Sequence, residues 1–133
     1  MHDTLAVMEL AARHGAKRFI TIGHSFGGAV AIQAAAHLDA DSVPGVVTLA
    51  TQSAGCEAAD RLGDRNLLFI HGTNDTILAH HSSEMVRFLA GTGELWLIPD
   101  ADHLLRPAGN EIVERLVTHV PAVFAQADAK RNS

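Results

Sequence analysis

A serine flanked by glycines lies where an apolar run gives way to a helical pattern. The segment Gly23-His24-Ser25-Phe26-Gly27 has the G-x-S-x-G spacing, in which the serine occupies a sharp turn between a strand and a helix. We expect glycine at both ends because a side chain at either position would collide with the opposing strand or helix. Ser25 is therefore a candidate nucleophile. The alternative is a Gly-rich turn that cradles a phosphate or binds nothing.

A serine hydroxyl needs a general base to attack a carbonyl, and the base needs an acid to orient it. In open parallel sheets, reactive groups gather beyond the carboxyl ends of the strands. Asp75 follows the third apolar run in a Gly-Thr-Asn-Asp turn, and His103 follows the fourth run. These positions predict Asp75 as the acid and His103 as the base. The alternatives are that Asp75 only shapes its turn and that His103 is an ordinary surface residue.

Several other residues near these segments have reactive side chains. Asp100 and Asp102 are rival acids, but they share a short loop with His103 and are badly placed to reach its distal nitrogen. His71 ends the third apolar run, and we interpret it as structural support for the turn of Asp75. His24, beside the serine, is expected to line the pocket or to pack behind the turn.

The remaining cysteine and histidine candidates have plainer interpretations. Cys56 is the only cysteine, which excludes an internal disulfide, and we interpret it as a small residue of a connecting helix. His80 and His81 could indicate a metal, but we expect no Cys or carboxylate partner beside them in their loop. The sequence therefore predicts neither a metal nor a cofactor.

The elements that must position these residues alternate between helix and strand. Apolar runs predict strands over 18–25, 43–51, 66–72 and 94–100. Helices are predicted from Asp3 to Gly15, from Ala29 to Leu38, around Glu57 to Leu62, after a cap at Ser82 or Ser83, and after a cap at Asn110. In the last helix we expect an inward face and an interruption near Pro121. Its inward residues are predicted to be Ile112, Val113, Leu116, Val117 and Val120. The polar tail from about Gln126 is expected to be frayed.

Strand segments such as VVTLA and LLFI are apolar throughout, which is typical of parallel strands covered on both faces. Helices between successive strands then predict an α/β fold, with a parallel sheet of about four strands and helices on both faces. A chain of 133 residues has room for one domain, 1–133, and none for a separate cap domain.

Composition excludes several classes of partner. Acidic residues outnumber basic ones by 15 to 10, and the basic ones are scattered, so we expect no nucleic-acid partner. The apolar runs are too short to span a bilayer. The N-terminal segment lacks the basic start and apolar stretch of a signal peptide. We therefore expect a cytoplasmic protein without a membrane partner.

Three segments together resemble the catalytic segments of α/β hydrolases. They are GHSFGG (23–28), HGTNDTIL (71–78) and DADHLL (100–105), in that family's order of serine, acid and histidine. The resemblance covers roughly residues 17 to 120. It implies that Ser25 attacks a carbonyl, that His103 takes and returns the proton, and that Asp75 orients His103.

The activity implied by this resemblance is cleavage of small carboxylic esters through an acyl-enzyme, without metal or cofactor. A thioesterase or acyltransferase acting on the same three residues remains open, as does a cofactor-free haloperoxidase-like activity. A protein of another class, in which a partial hydrolase fold acts as an interaction module, also remains open. Lids of this family usually enter after the strand that follows the nucleophile helix. Here the stretch from Thr51 to Asn66 has space for one short helix only, which favours short-acyl substrates.

The sequence also departs from the family it resembles. The family normally has about eight strands, several of them before the serine, whereas only one helix precedes Ser25 here, so we expect a truncated fold. The loop that usually supplies the second oxyanion donor is missing. Phe26, through its backbone N–H, and His24 are the predicted oxyanion and substrate-binding residues. Residues 18–25 would form an apolar edge strand, and part of one sheet face would be bare. A homodimer through that strand or face is therefore expected.

Overall fold

The computed structural model describes all residues, 1–133. In chain order the elements are α1 (His2–Arg13), β1 (Ile20–His24), α2 (Phe26–His37), β2 (Gly45–Leu49), a 3₁₀ helix (Glu57–Arg61), β3 (Asn66–Gly72), α3 (His81–Ala90), β4 (Glu94–Ile98) and α4 (Gly109–Arg131). No helix combines the length and the apolar character needed to cross a membrane.

The four strands form one sheet in the order β1-β2-β3-β4, and every neighbouring pair is parallel. The central strands β2 and β3 are buried almost throughout because helices cover both of their faces. This arrangement confirms the predicted α/β fold with a parallel sheet of four strands. Strands β1 and β4 are its edges.

Two hydrophobic clusters fill the space on either side of the sheet. The larger cluster packs α1, α2, the 3₁₀ helix and α3 against one face and includes Ile32, Leu62 and Phe69. The smaller cluster packs α4 and the loop before it against the other face and includes Leu68, Ile70 and Ile112. The helices are thus unequally divided, with α4 the only helix on its side.

Helix α2, which begins directly after Ser25, lies close to the sheet because its inner face carries small residues. A methyl group added at Gly28 would meet the hydroxyl oxygen of Thr51 at 2.2 Å. Ala31 and Ala35 are also buried there, and the Thr21 hydroxyl of β1 donates to the carbonyl of Ala31 at 2.9 Å. This close packing fixes the position of the turn that carries Ser25.

Helix α4 differs from its sequence prediction. It continues through Pro121 to Arg131, so the expected interruption and the expected frayed tail are both absent. Tertiary contacts hold its second half against the sheet. Arg18 forms an ion pair with Asp128 at 2.8 Å, and Val123 is buried against Gly45. A proline weakens a helix interior, but packing contributes more to helix stability in a folded protein than local propensity does.

Helix starts and inward faces also differ from the prediction. Helix α3 begins before Ser82 and Ser83, and α4 begins one residue before Asn110, so none of these three residues caps a helix. Val113 and Val117 are 59% and 69% exposed, although both were expected to face inward. Only a narrow stripe of α4 reaches the sheet because no second helix lies beside it on that face.

Candidate active site

Ser25 occupies the turn between β1 and α2 in a strained backbone conformation, with φ 57° and ψ −120°. Residues other than glycine rarely adopt this left-handed region of the backbone, so the surrounding structure must hold Ser25 in this conformation. The N–H of Ser25 donates to the carbonyl of Leu49 at 2.8 Å, and its carbonyl accepts from the N–H of Gly28 at 2.9 Å. The turn places the serine at the carboxyl end of β1, as the G-x-S-x-G spacing predicts.

The two glycines of this turn differ in their surroundings. A methyl group at Gly23 would lie 1.8 Å from the carbonyl oxygen of Gly27, whereas one at Gly27 would meet nothing within 4 Å. The steric prediction therefore holds for Gly23 and is wrong for Gly27. No strand or helix faces Gly27 because β1 is the edge of the sheet.

His103 lies between Ser25 and Asp75. Its Nε2 is 3.1 Å from the hydroxyl oxygen of Ser25, and its Nδ1 is 2.7 Å from Oδ2 of Asp75. The Asp75 side chain is fully buried, and that of His103 is 16% exposed. With the ring hydrogen on Nδ1 donated to the carboxylate, Nε2 can accept the serine proton. The three predicted side chains therefore form one hydrogen-bonded row at the carboxyl edge of the sheet.

The carboxylate of Asp75 is held by the turn that follows it. Its Oδ1 accepts hydrogen bonds from the backbone N–H groups of Ile77 at 2.9 Å and Leu78 at 2.8 Å. Burial raises the pKa of Asp75, but the N–H donors and His103 outweigh it, so the pKa lies below its ordinary value. Asp75 is therefore ionised at neutral pH and can stabilise a charged imidazole.

The two rival acids have other partners. Asp102 accepts the backbone N–H groups of Leu104 and Arg106, each at 3.0 Å, and its second oxygen forms an ion pair with the Arg106 side chain at 2.8 Å. The backbone N–H of Asp100 donates to the hydroxyl of Thr73 at 2.8 Å. Asp102 thus shapes the loop that carries His103, and neither carboxylate hydrogen-bonds to that ring.

His24 and Phe26, the neighbours of the serine, differ in what they contact. Nε2 of His24 donates to the backbone carbonyl of His103 at 2.8 Å, and the two rings lie 5.0 Å apart. His24 thus supports the loop of His103, a contact that was not predicted. Phe26 is the first residue of α2, so its backbone N–H has no acceptor within the helix. That N–H is available to an anionic oxygen beside Ser25.

Three apolar side chains close to this row in the sequence are exposed. Phe26 is 67% exposed, Ile77 is 70% exposed and Leu104 is 60% exposed. Each lies within two residues of Ser25, Asp75 or His103 in the sequence. A groove also runs along β1 to the turn, lined by apolar residues that include Val7, Ile22 and Val30, and it reaches Gly23 and Gly27.

The contacts of His71 go beyond the structural support that its position in the sequence predicts. It is fully buried, with Nδ1 2.6 Å from the hydroxyl of Ser83 and Nε2 3.1 Å from Oδ2 of Asp75. We expected only structural support of the turn. The available signal was a histidine inside an otherwise apolar strand, because a buried imidazole needs hydrogen-bond partners on both nitrogens.

The remaining candidates lie apart from Ser25. His80 and Glu84 are 3.1 Å apart and the rings of His80 and His81 are stacked, so the expectation that no carboxylate lies beside these histidines is wrong. Helical geometry brings residues four apart into contact. Cys56 is fully buried, and burial raises the pKa of its thiol, so it is not a reactive nucleophile.

No model of a protein family matches this sequence, and no curated protein matches it. Similar folds occur among solved structures. A predicted CIB-like hydrolase from Thermoplasma acidophilum has 19% identity and a TM-score of 0.69, with 99% of this chain and 59% of that chain covered. The esterase domain of a Rhodothermus marinus protein has 17% identity and a TM-score of 0.75, with 91% and 67% covered. Est1E from Butyrivibrio proteoclasticus has 16% identity and a TM-score of 0.79, with 92% and 68% covered.

These similarities show that the chain has the α/β-hydrolase fold. It spans 59% of the Thermoplasma hydrolase and about two thirds of the other two proteins. The chain therefore corresponds to part of that fold, as the presence of only one helix before Ser25 predicts. Its structural neighbours are hydrolases and esterases.

Proposed function

We propose that this protein is a serine hydrolase that cleaves small carboxylic esters, with Ser25, His103 and Asp75 as its catalytic triad. The single observation that carries the proposal is the hydrogen-bonded row from Ser25 through His103 to the buried carboxylate of Asp75. The fold supports it, since neighbours with this fold include an esterase domain.

The proposed reaction proceeds in two halves. In the first, His103 accepts the hydroxyl proton as Ser25 attacks the ester carbonyl, and the imidazolium then protonates the departing alcohol. In the second, His103 takes a proton from water, which attacks the acyl-enzyme, and returns that proton to Ser25 as the acid is released. Asp75 stabilises the imidazolium in both halves because its carboxylate is ionised and in contact with Nδ1.

The anionic oxygen of the tetrahedral intermediate needs hydrogen-bond donors. The backbone N–H of Phe26 is the donor we assign from this chain. Loss of one such donor lowers kcat by about 10²–10³ in a well-studied hydrolase. We propose that a second donor comes from another chain or segment.

A labelling experiment tests the nucleophile. We expect a fluorophosphonate probe to add one mass equivalent to the wild-type protein and none to Ser25→Ala. Ser53→Ala, which alters a half-buried serine outside the row, is the matched control and should be labelled like the wild type. The wild type and Ser53→Ala should hydrolyse p-nitrophenyl acetate, and Ser25→Ala should not. Turnover by Ser25→Ala at the wild-type rate would contradict the assignment.

Two other functions fit parts of the same geometry. A thioesterase or acyltransferase would form the same acyl-enzyme. Rates with matched ester and thioester substrates, measured with and without an alcohol acceptor, distinguish these two activities from an esterase. A non-catalytic interaction module is favoured by the single oxyanion donor assigned here. It predicts no adduct with a fluorophosphonate on protein shown to be folded by circular dichroism.

A further inference from the structure

The carboxylate of Asp75 faces two imidazoles. Its Oδ2 is 2.7 Å from Nδ1 of His103 and 3.1 Å from Nε2 of His71. The hydrogen-bonded row thus continues beyond Asp75 to His71, and from His71 to the hydroxyl of Ser83 at 2.6 Å. Asp75, His71 and Ser83 are all buried, so water cannot replace these partners.

The hydrogen position on His71 follows from its neighbours. Nε2 lies close to two acceptors, Oδ2 of Asp75 and the carbonyl of Leu78 at 2.8 Å, so it must carry a hydrogen. Nδ1 can then accept the hydroxyl hydrogen of Ser83. The carboxylate of Asp75 consequently receives two backbone N–H donors on Oδ1 and the Nδ1–H of His103 on Oδ2, and Oδ2 also shares the single Nε2–H of His71 with the carbonyl of Leu78.

We propose that His71 is a positioning residue for the hydrolase proposed above, acting through Asp75 on His103. It fixes the rotation of the carboxylate, so that Oδ2 points at Nδ1 of His103 and keeps the hydrogen on that nitrogen. Without His71, Oδ2 has one donor fewer, and the two backbone N–H bonds to Oδ1 restrain the carboxylate less completely against turning about the bond to its Cβ. His103 would then lose its preferred tautomer, and Nε2 would no longer be held ready to accept the serine proton. The inference rests on the proposed function.

Two substitutions separate this role from simple packing. His71→Leu removes both ring nitrogens but keeps an apolar side chain, whereas His71→Gln keeps an amide donor near the position of Nε2. We expect His71→Leu to lower kcat by about 10- to 100-fold, the size of effect seen when the outer partner of a metal-bound histidine is removed. KM should change by less than about twofold, since His71 is buried away from the substrate. His71→Gln should restore most of kcat.

A double-mutant cycle with Asp75 provides the internal control. If His71 acts through the carboxylate, His71→Leu should have no further effect on kcat in an Asp75→Ala background, because residues that act as a unit are non-additive. All rates are normalised to the folded fraction. Unchanged kcat in His71→Leu, or effects of the two substitutions that multiply, would overturn the proposal.

Nitrogen-15 NMR of the imidazoles provides a readout that does not need turnover. We expect His103 to be a single Nδ1–H tautomer in the wild type and a mixture in His71→Leu. An unchanged single tautomer in that variant contradicts the inference, even if the protein hydrolyses no ester and the proposed function fails. If His71→Leu does not fold, Ser83→Ala removes the outer partner of His71 with a smaller change in volume. It should show the same tautomer mixing to a lesser degree, and an unchanged tautomer there counts against the proposal.

Discussion

At the scale of single residues, Asp75 links the chemistry of the site to the stability of the fold. The folded protein lowers its pKa, although burial alone would raise it. The carboxylate therefore stabilises the folded protein. This contribution is complete at a pH well above the pKa of Asp in the unfolded chain, about 3.9, and it is lost as the pH falls through the lower pKa of Asp75 in the folded protein. The same hydrogen bonds that keep Asp75 ionised for His103 thus also stabilise the turn after β3.

This linkage predicts a pH-dependent effect of Asp75→Asn. We expect the substitution to lower the free energy of unfolding at pH 7, because the buried N–H donors and His103 lose a charged acceptor. The difference from the wild type should shrink progressively below about pH 4. Urea denaturation at a series of pH values measures it. A difference that stays constant from pH 7 to pH 3 would show that the charge of Asp75 contributes nothing.

The two glycines beside Ser25 provide a matched pair. Gly23→Ala should destabilise the fold by about 1–3 kcal/mol or more, because its methyl group would overlap the carbonyl of Gly27. Gly27→Ala should stabilise α2 by about 0.5–1 kcal/mol, because its methyl group meets open space within a helix. Thermal or urea unfolding distinguishes the two. A large loss of stability in Gly27→Ala would mean that another group covers this position in solution.

The residues of the row could be predicted because each follows a strand, and parallel strands bring their carboxyl ends to one edge. The partners behind the row could not be predicted in the same way. The contact of His71 with Ser83 depends on how α3 packs against β3, and that of His24 depends on the path of the loop around His103. Spacing along the chain carries no signal for such packing.

At the scale of elements, the segment between β2 and β3 predicts which substrates would fit the proposed site. Its 3₁₀ helix packs with α2 and α3, and Cys56, Ala59 and Leu62 are buried there. The segment therefore covers the core rather than extending as a lid. Long acyl chains bound at Ser25 would stay largely in water, and their apolar surface would contribute little to binding.

We therefore expect kcat/KM to be highest for short acyl esters and to fall toward long ones. A series of p-nitrophenyl esters from acetate to palmitate tests this, with detergent kept constant and below its micelle concentration. A maximum at palmitate would refute the prediction and would require an apolar tunnel supplied by another chain.

The strands and helices themselves could largely be predicted from apolar runs and helical spacing. The last helix could not, because its continuation through Pro121 depends on contacts from Arg18 and Gly45, which are distant in sequence. Its outward-facing Val113 and Val117 were assigned to the core for a related reason. Periodicity shows that a helix has an apolar face, but not how much of that face a neighbour covers.

At the scale of the whole molecule, part of the exposed apolar surface lies at and near β1. Ile22 of β1 is 47% exposed, and Val7 and Leu10 of α1 are 65% and 55% exposed. The solved structures that share the fold are longer than this chain, which spans 59% of the first of them. An apolar edge strand without a cover recruits another chain. We propose that two copies associate through this edge.

This proposal predicts a dimer at micromolar concentration. Sedimentation velocity should show the wild type as a dimer, and Ile22→Lys should be a folded monomer because a lysine at an edge opposes pairing. Val113→Lys, which places the same charge on the exposed side of α4, is the control for an interface at β1. A stable monomer of the wild type that hydrolyses esters would contradict the proposal.

The edge position of β1 also has a consequence for the exchange of its amide hydrogens with deuterium. Phe19 and Ser25 donate their N–H groups toward β2, to the carbonyls of Ser42 and Leu49. Because N–H directions alternate along a strand, Thr21 and Gly23 must also donate inward, while Ile22 and His24 point to the open side. A lone chain should therefore exchange Ile22 and His24 rapidly and Thr21 and Gly23 slowly. Edge-to-edge pairing would protect all four, so the loss of this alternation with rising concentration would locate the partner on β1.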